Sequence, residues 1–165
     1  MGQLNERLDM DILDAAAATS VPITVVGPRV DRDPEFSFRL SAFLSHPNVT
    51  WVGQLPTEEL GPYIATASLG ITPYADSEFN RSSFPLKTLE YLAGGLRVVA
   101  TDLPAVRWLS TELITVAFGP EDFAAKVLAA ARAPQGNSEG LRRQAFASAH
   151  SWQARAASLL DLVGI

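Results

Sequence analysis

The stretch FPLKTLEYLAGGLRVVATD, Phe84 to Asp102, changes its hydrophobic period once, and that change decides the fold. Its first half reads as a helix from Pro85 to Ala93. Proline at a first helical position loses no hydrogen bond and presets φ. Gly94 and Gly95 then stop the helix. RVVAT, Arg97 to Thr101, is a continuous apolar run of the kind that forms a parallel strand buried on both faces. Lys87 and Glu90, three residues apart, share one face of the helix. Lys87 stands at the wrong end of the helix dipole, at a cost of roughly 0.3–1 kcal/mol. Backbone N–H groups behind Pro85 offer an anion site. The pair therefore has two readings. It is an exposed ion pair worth a few tenths of a kcal/mol, or a grip on a phosphorylated ligand that removes the dipole conflict.

Outward from this unit the chain keeps alternating. Helices are expected over Asp9–Ser20, 34–46, 56–67, 120–133, 140–150 and 151–163, with a turn or two at 105–110. Strands are expected at Pro22–Pro28, Asn48–Leu55, Ser68–Tyr74, Arg97–Thr101 and 113–117. ADSEFNRSS, residues 75–83, reads as a polar loop, and Ala133–Gly140 as the one linker-like stretch. Such alternation gives one α/β domain over 1–165, a doubly wound Rossmann-like parallel sheet of about six strands with helices on both faces. Helices over 139–164 close the chain. The first helix has no clear strand feeding it. That strand would be MGQL or would lie upstream of Met1, so the N-terminus reads as a cut.

The totals exclude several classes. At 165 residues, 47% apolar and 19% charged, the chain has the makeup of an ordinary globule. A net charge of −5 argues against gripping nucleic acid by bulk electrostatics. There is no cysteine, hence no disulfide and no thiolate chemistry, which fits a reducing cytoplasm. No apolar run reaches the ~20 residues of a membrane span. Peripheral contact at the inner membrane face stays open, although no helix is strongly basic and amphipathic.

In an open parallel sheet, ligands sit beyond the carboxyl ends of the strands. The loops there begin at GQLNER, GPRVDRD, GQLPTEE, YADSEFNRSSF and TDLPAV. Gly2, Gly27 and Gly53 open three of them, where glycine admits tight turns or close backbone approach. Neither GxGxxG nor GxxxxGK[ST] occurs, so the ordinary dinucleotide and P-loop fingerprints are missing. Asn80, Arg81, Ser82 and Ser83 crowd the approach to Pro85.

Phe84–Asp102 resembles the donor-binding motif of group 1 glycosyltransferases, enzymes of the two-domain GT-B architecture. The carboxyl-terminal domain of that family carries a pattern like P-x-K-x-x-E-Y-x-A-x-G-x-P-V-V-A-T. Pro85, Lys87, Glu90, Tyr91, Ala93, Gly95, Val98, Val99, Ala100 and Thr101 match it, and Arg97 stands where proline is usual. GQLNERLDMDIL, NVTWVGQLPTEELGPYIATASLGITPY and HSWQARAASLLDLV extend the likeness over most of the chain. The resemblance implies one half of a GT-B enzyme, which binds a nucleotide sugar such as a UDP-sugar as donor substrate and needs no separate cofactor. Glu90 would bond the ribose hydroxyls. Lys87, Ser83 and the N–H groups of Phe84, Pro85's neighbour Leu86 and Lys87 would hold the diphosphate or the sugar, with Asn80 and Arg81 beside them. Gly2 and Arg7 would approach the phosphates, and Gln54 and Leu55 would read the base. The full enzyme would retain anomeric configuration and meet its acceptor, a glycan, lipid or small molecule, through an amino-terminal domain. The isolated domain is then expected to transfer slowly or not at all. Many members carry a glutamate eight residues before the second one; here Ser82 holds that place, and Glu78 is out of register.

Rival readings are a non-catalytic module that docks a partner chain and a sugar-nucleotide epimerase, which would need more acid–base residues than the loops supply. His46 and His150 stand alone, without metal-ligand spacing. Asp102 reads as the cap of the turn after it. Trp51, Trp108 and Trp152 read as packing residues, and Asp31–Asp33 as a solvated loop on the acceptor side.

Overall fold

In a computed structural model, residues 1–134 and 136–164 are described. The helices are α1 (Met10–Ala18), α2 (Pro34–Leu44), α3 (Gly61–Thr66), α4 (Glu78–Arg81), α5 (Leu86–Ala93), α6 (Pro104–Trp108), α7 (Gly119–Arg132), α8 (Asn137–Ala149) and α9 (Trp152–Val163). The strands are β1 (Ile23–Val26), β2 (Val49–Gly53), β3 (Leu69–Thr72), β4 (Arg97–Thr101) and β5 (Ile114–Ala117).

Among the described residues all strand pairs are parallel, as expected, but the expected sheet of about six strands is five strands in two pieces. One piece is β1-β2; the other is β3-β4-β5. Ile23 faces Val49, Leu69 faces Arg97, and Val98 faces Ile114. MGQL does not become a full strand. It makes a single parallel bridge, Leu4 to Arg29, with Gly2 N–H donating to the Val26 carbonyl at 2.8 Å. Gly27 makes this possible. Its φ is +144°, and a Cβ there would fall 1.8 Å from the Gly2 oxygen.

Helices cover both faces. On one, Leu92 of α5 and Ala147 of α8 pack with Val98 and Ala100. On the other, Ile12 and Ala16 of α1 meet Phe123 and Val127 of α7 over Val99. Phe123 is fully buried, a side chain worth ~1.5–3 kcal/mol of apolar transfer. A third cluster joins Leu13 of α1 to Leu40 and Phe43 of α2 and to Val49.

Local chemistry sets the element ends. Asp9 caps α1 through the amides of Asp11 and Ile12, and Asp33 caps α2 through Phe36. The expected helix over 56–67 splits into a 3-10 turn at Thr57–Glu59 and the short α3, because Gly61 and Pro62 interrupt it. The polar loop 75–83 contains α4, whose cap is Ser77, its hydroxyl oxygen accepting from the Asn80 amide. The linker expected at 133–140 is shorter, since α8 starts at Asn137. Gln135 lies outside the described residues. Arg97, at the usual proline position, reaches the last carbonyls of α7. It donates to Ala130 at 3.3 Å, to Ala133 at 3.1 Å and to Pro134. A cation suits that helix end, and proline could not supply it. Among the described residues no helix is long and apolar enough to cross a membrane.

Candidate functional site

A cavity of about 840 Å3 opens at the carboxyl ends of β1 and β3. Its mouth is made by Gly2, Arg7, Ser83, Phe84, Lys87 and Tyr74. α5 docks on β3 and β4, so its N-terminus points at this rim. Gly70 lets it approach, since a Cβ on Gly70 would come within 2.4 Å of the Tyr91 ring.

Pro85 is the residue before α5 rather than its first helical residue; the helix begins at Leu86. The Leu86 N–H is spent on the Phe84 carbonyl at 2.9 Å. Among the described residues the amides of Lys87 and Thr88 have no carbonyl partner, so of the N–H groups expected to face an anion these two are free to do so. Lys87 Nζ donates to Glu90 Oε2 at 2.5 Å, with both side chains partly exposed. Gly2 lies against the Lys87 stem, 3.5 Å from its Cε to where a Cβ would stand. Met1 carries its amino group to the Tyr91 hydroxyl at 2.7 Å. Burial, then the charge of Lys87, lowers that amine to about 6. Burial likewise raises the Tyr74 phenol, against a smaller pull from Arg7.

Arg7 is held in place from several sides. Its Nε donates to Asn80 Oδ1 at 3.0 Å, and its guanidinium lies 4.6 Å from the Phe79 ring and 5.3 Å from that of Tyr74. Asn80 is buried, and its amide nitrogen donates to the carbonyls of Arg7 at 2.9 Å and Ala75 at 2.8 Å. It therefore positions Arg7 instead of reaching a ligand. Arg81, also expected in the site, is turned aside into a bidentate pair with Asp76. Ser83 lines the cavity, but its hydroxyl donates to the Phe79 carbonyl at 2.7 Å. Gln54 is exposed and Leu55 half-buried, and neither is on the cavity wall. Phe84 meets Trp108 edge to face at 6.0 Å, with Arg155 stacked 3.9 Å from its centroid. Ser82 and Glu78 are exposed.

Three expectations outside the rim change. Asp102 does not cap α6; Leu103 precedes that helix, and Asp102 pairs with Arg107. Asp31 is not solvated. Its side chain is only 4% exposed, takes Arg29 Nε at 2.7 Å and the Ser37 hydroxyl, and these hold its carboxyl down at about 2. Trp108 and Trp152 are largely exposed. Reasoning from sequence missed Glu6, whose Oε1 accepts from the amides of Arg32 at 2.5 Å and Asp33 at 2.9 Å and so ties the first loop to the second. It also missed the buried Met1 amine. His46 contacts Asn48 and His150 the Phe146 carbonyl; among the described residues no three metal-ligating side chains gather.

Residues 5–132 match the model of the family described as "Glycosyl transferases group 1". Over 107 residues the chain is 36% identical to "Putative teichuronic acid biosynthesis glycosyltransferase TuaH" of Bacillus subtilis (strain 168), covering 64% of this chain and 26% of that protein. Among solved structures, sucrose-phosphate synthase from Thermosynechococcus elongatus superposes with a TM-score of 0.65 at 20% identity, over 98% of this chain and 44% of that one. HepE of Anabaena, solved in complex with UDP and glucose, gives 0.60 at 15% identity, over 97% and 47%. At these identities the superpositions speak for the fold, which is one Rossmann-like half of the GT-B architecture. The chain spans about a quarter of the curated relative and under half of the two solved structures.

Proposed function

The chain belongs to the group 1 glycosyltransferases, and on that premise we propose that its cavity mouth holds the nucleotide sugar of a transfer reaction. The observation that carries this reading is the placement of Lys87 at the cavity mouth against the Gly2 backbone, with Glu90, which is off the cavity wall, one turn on along α5 and in contact with Lys87. The diphosphate lies at the N-terminus of α5, on the free amides of Lys87 and Thr88 and on Nζ of Lys87. Lys87 then turns from its partner toward the phosphates. Glu90, released, accepts hydrogen bonds from the ribose hydroxyls. Arg7, fixed by Asn80, adds positive charge on the far side of the mouth. When the bond from the sugar to the diphosphate breaks, negative charge grows on the leaving oxygen. Amides and cations already aimed at that oxygen stabilise it without reorganising. The base extends toward Gln54 and Leu55. The sugar passes to a glycan, lipid or small-molecule acceptor held by a separate domain, with retention at the anomeric carbon. This half alone leaves the sugar open to water and turns over slowly or not at all.

The reading of Lys87 and Glu90 as surface chemistry has one observation in its favour, their direct contact. Calorimetry with UDP, GDP and their sugars separates the two. Donor binding gives heat with one nucleotide that falls at least tenfold in affinity in Lys87→Ala, an effect of about 1.4 kcal/mol or more. A chain silent to every nucleotide supports the docking module.

A further inference from the structure

Arg97 stands where the family pattern has proline, and capping α7 uses only part of its guanidinium. Nη1 and Nη2 are spent on the carbonyls of Ala130, Ala133 and Pro134; among the described residues Nε has no partner. Arg97 begins β4, at the end of the sheet opposite the candidate donor site. A cleft of about 370 Å3 opens there. Glu139, Arg142 and Arg143 of α8, Glu112 ahead of β5 and Thr115 on β5 share its wall with Arg97. α8 packs against α5, which sets Arg143 beside the turn that ends α5. There Arg143 Nη1 donates to the Gly95 carbonyl at 3.1 Å.

Charge in this cleft is unevenly shared. Arg142 takes both carboxylates, Glu112 Oε1 at 2.6 Å from Nη2 and Glu139 Oε1 at 2.9 Å from Nη1. Among the described residues Arg97 and Arg143 have no carboxylate partner. Their hydrogen bonds go to neutral carbonyls, which fix the two guanidiniums without neutralising them. Both side chains are half-buried. Burial, then the charge of Arg97, lowers Arg143 from its ordinary value. In a chain of net charge −5, a cleft where three guanidiniums meet two carboxylates reverses the sign locally. Two like charges held on one wall repel, and an anion between them removes that cost.

We propose that this cleft binds a phosphorylated small molecule, with its phosphate between Arg97 and Arg143. A guanidinium presents its N–H groups in a planar fork that matches phosphate oxygens. Arg143 brings Nε and Nη2 to the phosphate, and Arg97 brings Nε; neither set is used elsewhere among the described residues. Thr115 adds a hydroxyl to the same wall. Arg142 keeps Glu112 and Glu139 occupied, so that these carboxylates do not take the place of the ligand. The cleft is larger than one phosphate group and lies at the low end of small-molecule sites, which start at roughly 300 Å3. The remainder of the ligand is therefore small. The cleft lies at the amino ends of β4 and β5 and the candidate donor site at the carboxyl ends of the strands, so both can be filled at once.

The test uses the full chain carrying Lys87→Ala, which keeps the start of α5 from competing for the probe. The Nε–H NMR signals of Arg97 and Arg143 are followed while pyrophosphate is added at physiological ionic strength. Both signals should move saturably, with half-saturation in the millimolar range or below. Arg143→Gln should weaken binding at least tenfold, because a charged fork is lost. Glu112→Gln changes an exposed side chain and frees Arg142 Nη2 for the cleft; it should tighten binding about twofold or more. Shifts that grow without saturating, or an affinity that neither variant changes, overturn the proposal. Inorganic phosphate is the second probe and should bind at least tenfold more weakly, since it fills only part of the cleft. Equal affinity for the two probes overturns the proposal in favour of a site for the bare ion. No nucleotide enters these measurements, so the result is separate from that of the donor site.

Discussion

β4 and β1 are both short parallel strands, yet they live in different surroundings. Val98, Val99 and Ala100 of β4 are each 1% exposed or less. In β1, Thr24 is exposed and Ile23 and Val25 are half-buried. The apolar character of the two sequences does not explain this; their neighbours do. β4 has a strand on each edge and helices on both faces, whereas β1 pairs along one edge. The contrast reaches the candidate site. α5 rests on the well-buried half, and it brings Lys87 to the rim beside Phe84, with Glu90 in contact with Lys87. Gln54 and Leu55 follow β2 on the less buried half and stay off the cavity wall.

The sharpest way to break this comparison is to truncate one large side chain in each half. Phe123→Ala removes a fully buried ring beneath Val99 and should cost about 3–5 kcal/mol in urea unfolding. Trp51→Ala in β2 removes a side chain that is 43% exposed and donates to the Gly27 carbonyl at 3.1 Å. It should cost about 1 kcal/mol, since little burial and a single hydrogen bond are lost. Equal costs would show that the two halves are equally consolidated.

A second, smaller effect sharpens the comparison at the junction of the halves. The Met1 amine falls to about 6 in the folded chain because it is buried beside Lys87. Between that value and the ordinary 8.0, the unfolded chain holds a proton that the folded chain has released. Stability therefore rises with pH across this window and levels off above it. The ceiling is about 3 kcal/mol for two units. Acetylating the amine should flatten that part of the curve. An unchanged slope in the acetylated chain would show that the amine is solvated.

The smallest effect is at Arg97→Ala, which frees the carbonyls of Ala130 and Ala133 at the end of α7. A loss of about 1 kcal/mol is expected, and Arg97→Pro should lose as much, because proline offers no donor.

Much of this was legible in the chain. The switch of period at Gly94–Gly95, the parallel strands and the face shared by Lys87 and Glu90 all follow from local spacing. What local spacing cannot hold is pairing at a distance. Whether MGQL becomes a strand depends on how β1 and β3 are separated, and residues 1–4 say nothing of that. Asp102 and Asp31 look like loop carboxylates until Arg107 and Arg29 are brought beside them. Asn80 looks like a polar rim residue until the fold buries it under Arg7. Proline at position 85 signalled the helix start to within one residue, but not that the Leu86 amide would turn back on Phe84.

The central claim is that the free amides of Lys87 and Thr88 at the start of α5, facing Gly2, form an anion site at the rim. Amide NMR spectra of the labelled chain, titrated with UDP and with GDP, test it at single residues. The account predicts that one nucleotide moves the signals of Lys87, Thr88 and Gly2 most, saturably, and that these shifts vanish in Lys87→Ala. Saturable shifts that leave those three amides unmoved would contradict it.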